Sequence, residues 1–544
     1  MNRSPSCTVS PLVASLLATH LLAGCSLMGL EKDLGRETCS TKSDCADLNS
    51  SRPTGDACRE WRCNPETSFC EVLAADGDDD RVPSAECAAD GEAVDCDDTN
   101  AAIYPGNDEV CDGLDNDCDE GIDEALYSTT EPMRVVALGA EGAKHVSMAA
   151  VTSDDTVAVA YTAGDEFVAG ARVVFPTAAS TDTAADLERE ILDADPVAIE
   201  ARSVAIAPIG SDFAVAVVPT GACQRVVTGI VTSDNPVSAI PETLFAEGIP
   251  KEDGVCDADT AKASDVALAA NGDDVLVAWV EREDSNAGAA DWACGSTPSS
   301  HVLVNLVERV GDTLVPVGGL ATVLGLTLAA SPPAVVAVPG GGWLIAFSED
   351  ESDEEFITVV AARREGDALI TERVDGTGVA ETGGESRGDV AITLGPSSEN
   401  EITVGLAFRE GCSTGSSITA DFFSYAPTTN AAVALEGTTT IEAGTARIRR
   451  PALAYLPSVG WFAAWESLPA GSLTREVKAR RLGSASESDF TVITDTTSAG
   501  TPVGFEQGVH LRPQSNGVSF GVLSLARVDD ETGIYGTVIE CGAQ

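Results

Sequence analysis

From about residue 132 onward, apolar and polar residues alternate in short runs broken by Gly, Asp, Ser and Pro, the period-two pattern of half-buried strands. No long run of helical period interrupts it, so the pattern predicts an all-β fold. One run recurs as VAVAYTAG, VLVAWVER, WLIAFSED, TVGLAFRE and WFAAWESL, with its aromatic at Tyr161, Trp279, Phe347, Phe408 and Trp465. The gaps are 118, 68, 61 and 57 residues, and the first is two periods of 59. FAVAVVPT (213–220) fills that gap with Val218 at the aromatic position, and VSFGVLSL (518–525) supplies a seventh copy.

Each copy follows a strand of small residues: VSMAAV, SVAIAP, DVALAA, PAVVAV, DVAITL, PALAYL and GVHLRP. A third strand comes after it (FITVVAARR, VKARRL) and, in six units, a fourth such as FTVITD. Seven four-stranded repeats predict a seven-bladed β-propeller over 132–544, because small side chains suit the crowded axis where blades converge. The last unit has only three strands, whereas MRVVALG (133–139) precedes the first unit without a blade of its own. Pairing it with IYGTVIE (534–540) would complete the seventh blade and cover its edge. Two or three β-sandwiches are the alternative architecture.

The beginning of the chain reads differently. Arg3 precedes a short apolar run, PLVASLLATHLL (11–22), too short to cross a bilayer as a helix and therefore a signal over 1–24. Leu22-Ala23-Gly24-Cys25 resembles the lipobox of bacterial lipoproteins. That resemblance implies lipid on Cys25, a membrane anchor through that lipid, and, with Ser26 next, an outer-membrane or cell-surface location. Residues 25–38 read as a tether. Over 39–74 the spacing C-x5-C-x12-C-x4-C-x6-C with few aliphatics predicts a small cysteine-rich module held by disulfides, which an extracytoplasmic compartment permits.

Charge narrows the partners. With 32 basic and 87 acidic residues the formal charge is −55, which argues against nucleic acid and anionic lipid surfaces. The charge is densest between Asp76 and Glu124, where nineteen acidic residues face one basic residue, Arg81. Cations must offset that repulsion. DGDDD sets Asp76, Asp78 and Asp80 at alternate positions, and DNDCD does so with Asp115, Asp117 and Asp119, the spacing of positions 1, 3 and 5 of a calcium loop. Neither loop is a complete EF-hand. Arg81 and Glu120 stand at the glycine position, and Cys87 and Leu126 where a bidentate Glu belongs. Ligands must then be shared between loops, with Asp95, Asp97, Asp98, Asp112, Asp123 and Glu124 as candidates.

DGDDD…C…DCDDTNAAIYPGNDEVCDGLDNDCDEGIDE resembles the MopE-type metal-binding motif of secreted and surface bacterial proteins. The resemblance covers 76–124, about a tenth of the chain, and its specific core is YPG…E-x-CDG-x-DNDCD. It implies an Asp-rich, cysteine-bridged, cation-binding segment (75–125), with Cys87, Cys96, Cys111 and Cys118 paired among themselves. Carboxylates and carbonyls select a hard cation, so calcium leads. Zinc through those four cysteines, or copper, is the rival, although no CxxC pair is present. If the four cysteines pair internally, Cys39, Cys45, Cys58, Cys63 and Cys70 remain upstream, an odd number, and five remain downstream. Full oxidation then needs a bridge from the stapled module to the propeller, with Cys541 the favoured partner.

Catalytic signatures are sparse. Gly411-Cys412-Ser413-Thr414-Gly415 has the letters of a hydrolase elbow but follows a β-strand, and a turn is the better reading. His145 and His301 are isolated, and Arg387-Gly388-Asp389 opens a strand. Glu281, Glu349, Glu410 and Glu466, after the aromatic strand, could form an acidic ring on one face of a propeller. These features predict a lipid-anchored surface protein that is not an enzyme. Its Asp-rich segment binds a divalent cation, and its propeller binds a protein or glycan. The alternatives are a propeller enzyme acting on glycans or peptides, and a metal-acquisition protein.

Overall fold

Small residues that alternate in β-period need a sharp reversal between paired strands, and left-handed glycines provide it. Gly210 (φ 61°) and Gly272 (φ 66°) turn Ala201–Ile209 into Asp212–Pro219 and Lys262–Asn271 into Asp274–Arg282. The computed structural model describes residues 37–541 apart from 52–55, 89–92, 113, 120–125, 138–142, 151–156, 166–167, 175–188, 194–200, 220–225, 232–237, 241, 245–261, 283–299, 325–327, 330, 352–353, 376–386, 399, 412–415, 436–438, 444–446, 470–471, 473, 483–489, 495–508, 514–518 and 529–530. The signal, Cys25, Cys412 to Gly415, Asp123 and Glu124 therefore lie outside the described residues.

The chain forms two units, one running to Glu109 together with Leu114–Ile122, the other comprising Val110–Gly113 and Asp123–Gln544. In the small unit a 3-10 turn, Lys42–Cys45, leads into a short helix, Ala46–Ser51. A hairpin follows, pairing Arg59–Asn64 with Phe69–Ala74 and setting Cys63 opposite Cys70. Its core is largely sulfur: Cys45, Leu48 and Cys70 are buried, with Cys39, Trp61 and Cys63 packed on them. Disulfides Cys39–Cys63, Cys45–Cys70 and Cys58–Cys87 close this core.

The large unit is all-β. Among the described residues it contains seven separate sheets of four or five strands, almost all antiparallel; the exception is Ser238–Ile240, which runs parallel to Arg189–Asp193. In every sheet a small-residue strand pairs with the repeat strand that follows it, the one that carries the aromatic or, as at Val218, another residue in its place. The small-residue strands also touch in sequence. Ala143–Ala150 meets Ala201–Ile209, then Lys262–Asn271, Ala334–Ala337, Arg387–Ser397, Arg447–Leu456 and Val509–Pro513 follow, and the last meets the first. The hydrophobic cores lie between consecutive sheets. Ala205, Ala216 and Val218 pack with Val266, Val277 and Trp279; further on, Phe462 and Ala464 pack with Phe520 and Val522. Repeated arginines fasten neighbours. Arg309 pairs with Asp212 of the preceding sheet and donates to the Ile209 carbonyl (3.0 Å), and Arg364 does the same to Asp274 (2.5 Å) and Glu308 (2.9 Å).

The final sheet borrows strands from far upstream. Met133–Ala137 pairs with Glu531–Cys541, placing Val136 opposite Ile534, as the unpartnered MRVVALG run predicts. Tyr127–Thr129 lies along the same strand, with Tyr127 opposite Cys541. The disulfide pattern corrects the expected one. Only Cys96–Cys118 lies within the motif; Cys87 bonds Cys58 of the hairpin region, and Cys111 bonds Cys541. The outer motif cysteines sit at its edges, beside flanking strands, so they bond across those edges. Cys541 accordingly takes Cys111 and not a cysteine of 39–70.

Candidate metal centre

A carboxylate held in a turn accepts a backbone N–H with one oxygen and leaves the other free to point elsewhere. The DGDDD loop does this at Asp78 and Asp80, whereas Asp76 engages both oxygens. Asp76 accepts the N–H groups of Asp79 (2.7 Å) and Arg81 (2.8 Å), Asp78 accepts that of Asp80 (3.2 Å), and Asp80 that of Val82 (2.7 Å). Asp79 (φ 77°) and Arg81 (φ 88°) take left-handed backbone to make the loop this tight. The second loop follows the same rule: Asp95 accepts the Asp97 N–H at 2.8 Å, and Asp97 turns to Thr99.

Two contacts bring the loops together. The Asp95 N–H donates to the Pro83 carbonyl (3.0 Å) beside a Ser84–Asp95 bridge. Asp98 accepts the Gly77 N–H at 2.7 Å. Gly77 is required there, since a Cβ would lie 2.2 Å from the Asp98 carbonyl oxygen. The result is a shared cluster. Asp76, Asp78 and Asp80 offer oxygens within 4.8 Å of one another, and Asp78, Asp95 and Asp98 do likewise. Within it the second oxygens of Asp78, Asp80 and Asp95 are buried and have no hydrogen-bond partner. Asp95 is 4% exposed and Asp76 2%.

Buried, unpartnered carboxylate oxygens are unstable neighbours, and their proton affinities show it. Burial, followed by the charges of adjacent aspartates, pushes Asp78, Asp80 and Asp95 above the usual carboxylate range, against the backbone N–H each accepts. Asp76 goes the other way. Burial raises it, but the Asp79 N–H, the Arg62 guanidinium (2.5 Å) and the Arg81 N–H together hold it below that range. Arg62 also reaches Asp79 (2.7 Å), and Lys42 donates to the Asp76 carbonyl (2.6 Å). The hairpin of the stapled region thus anchors the loop, a partnership with no local signal in the acidic sequence.

A second cluster forms from Glu109, Asp115 and Asp117. Glu109 accepts the N–H groups of Asn116 (2.6 Å) and Asp117 (3.0 Å), while Asp115 and Asp117 both accept from Asp119 (3.2 Å each). Burial, then Asp119, raises Asp117. Glu109 was missing from the sequence-derived candidates, although it is the acid of the E-x-CDG core. Asp97, Asp112 and Asp119 contribute to no carboxylate cluster among the described residues. Cys87, Cys96, Cys111 and Cys118 are all in disulfides, which removes the thiolates a zinc site would need.

The acidic ring expected on the large unit is not an open one. Glu466 is buried against Arg475 at 2.6 Å, and Glu349 (2% exposed) accepts the Thr358 hydroxyl at 2.6 Å. Glu281 is buried and Glu410 holds Thr419. Asp389 of the RGD tripeptide is engaged by Arg409 at 3.0 Å.

Residues 95–124 match the Cu-binding MopE family, described as a metal-binding motif. The segment is therefore a metal-binding motif, while the match spans too little of the chain to classify the rest. No curated protein matches the chain. Solved structures similar to it include the Trypanosoma rangeli sialidase (8% identity, TM-score 0.36), covering 76% of this chain and 59% of that one. Another is the α-L-arabinofuranosidase of Fusarium graminearum with arabinobiose (9%, TM-score 0.38), covering 76% and 98%. A third is the haemagglutinin-neuraminidase ectodomain of parainfluenza virus 5 (8%, TM-score 0.37), covering 68% and 85%. The chain spans about 59% of the sialidase's length. These neighbours are glycoside hydrolases, so the expectation of a non-enzyme is withdrawn. At such scores and identities the likeness carries no activity over to this chain.

Proposed function

We propose that the small unit binds calcium at the cluster shared by Asp76, Asp78, Asp80, Asp95 and Asp98. The observation that carries this reading is the set of buried, unpartnered oxygens on Asp78, Asp80 and Asp95. Hard, oxygen-seeking cations at the two groups that share Asp78 would satisfy them, and each ligand is already oriented by its backbone hydrogen bond. The donors are carboxylates, with no histidine between residues 76 and 124, which favours calcium over copper or zinc. Calorimetric titration of the full-length protein tests it. Calcium should bind, and Asp95→Asn should weaken it at least tenfold. Binding of copper or zinc alone, or an unchanged Asp95→Asn, would refute the reading.

For the large unit we read a seven-bladed β-propeller, supported by the ring order of the small-residue strands and by the upstream strands that complete the last sheet. A glycan is the ligand class, bound or hydrolysed at one end of the axial cavity. A lipid on Cys25, supported by the Leu22–Cys25 sequence, would hold the protein at the outer membrane or cell surface.

A further inference from the structure

Three small-residue strands break in the same way near their starts. Lys262–Asn271, Arg387–Ser397 and Arg447–Leu456 each carry a bulge, between Ser264 and Ala267, Gly388 and Ala391, and Arg449 and Ala452. Inside each bulge sits one left-handed residue: Asp265 (φ 46°), Asp389 (φ 50°) and Arg450 (φ 47°). They occupy equivalent positions in the repeat, and none is glycine. Left-handed backbone is unfavourable for a side-chain-bearing residue, so its recurrence with ionisable side chains needs a reason other than folding.

All three line one cavity of about 580 Å³ that runs along the small-residue strands of six sheets. That volume suits a small ligand. Asp389 is already balanced, accepting from Arg409 (3.0 Å) and from the Arg450 N–H (3.4 Å). Arg450 is different. Its guanidinium, half-buried, has no partner among the described residues, whereas Arg62, Arg309, Arg364 and Arg475 all pair with carboxylates. In a chain of net charge −55, a cation left unpaired in a cavity is positioned for an anion from outside.

We infer that the bulged end of this cavity binds a glycan carrying a single carboxylate, with Arg450 pairing that group through its planar fork. Asp265 and Asp389 line the cavity beside it, so the group that Arg450 pairs is one carboxylate and not a polyanion. Tyr455 lines the same cavity, its ring packed on Trp461 with centroids 5.1 Å apart. The inference rests on the glycan reading of the large unit given above and is independent of the calcium site.

The test uses full-length protein, titrated by calorimetry with cellobiouronic acid, with cellobiose as the neutral counterpart and cellobiose 6-phosphate as the phosphate arm. The acid should bind at least tenfold more tightly than cellobiose. Arg450→Gly should abolish that preference while melting at or above the wild-type temperature, because glycine accepts the left-handed backbone; Arg450→Lys should keep a fraction of it. Calcium binding, measured on the same samples, should stay unchanged and reports the other site separately. Equal binding of acid and cellobiose, no binding, preference for the phosphate ester, or an Arg450→Gly variant that keeps the preference or unfolds would each overturn the inference.

Discussion

Cys111–Cys541 joins residues 430 apart in sequence, beside the strands that complete the last sheet of the large unit. Replacing both cysteines by serine removes the cross-link without leaving a free thiol. By chain entropy, releasing a loop of that length destabilises the folded state by about 6 kcal/mol, an upper value for unstrained geometry. Unfolding entropy for a chain the size of the large unit is about 0.9 kcal/mol/K, so the melting temperature should fall by roughly 7 °C. Differential scanning calorimetry under oxidising conditions measures this directly. In reductant, wild type and variant should melt together, since both then lack the bridge. Non-reducing peptide mapping should recover the Cys111–Cys541 pair. A shift below about 1 °C with the bridge present, or a difference that persists in reductant, would refute the closure argument.

Calcium stabilisation should depend on pH. Asp78, Asp80 and Asp95 are raised, so their contribution to the cation-free protein is present at low pH and lost as pH rises through their folded-state values. Calcium favours the charged forms, so its increment in melting temperature should be largest near neutrality and vanish as protons displace it; an increment that grows on acidification would contradict the site. Gly405→Ala would set a Cβ 2.6 Å from both Trp461 and Leu453. Denaturant titration should show a loss of about 1–3 kcal/mol from overpacking, and a neutral result would mean that the sheet faces are looser than described. Arg364→Ala removes the contacts to Asp274 and Glu308 and should lower the denaturation midpoint slightly, with a smaller loss in high salt.

The order of strands was legible because two periodicities coincide: alternation within each strand, and an aromatic recurring once per four strands. Val218 shows how far this reaches. It lacks the aromatic, yet its strand still pairs with Ala201–Ile209 in register with the others. The acidic loops were legible for a related reason, since carboxylates at alternate positions have few other uses. What stayed hidden is what depends on distant partners. Arg62 lies on a hairpin strand and meets Asp76 only after the chain folds back. Cys58 and Cys111 gave parity but not pairing, because pairing depends on which strand ends meet. The acids after the aromatic strand looked exposed by position, whereas Glu466 and Arg475 are buried together.

Both candidate sites stand out by the same physical criterion, a local cost that the fold does not relieve by itself. In the small unit the cost is like charge: backbone N–H groups orient the aspartates, Arg62 neutralises Asp76, and three buried oxygens are still left over. In the large unit the cost is backbone conformation, incurred three times at one repeat position, where glycine would have been easier. The left-handed residues do not follow from the repeat, since four of the seven small-residue strands do without one at that position among those described. Local unfavourable choices in an otherwise consistent sequence concentrate where a ligand supplies the missing interaction. A cation completes the first; a carboxylate on Arg450 completes the second.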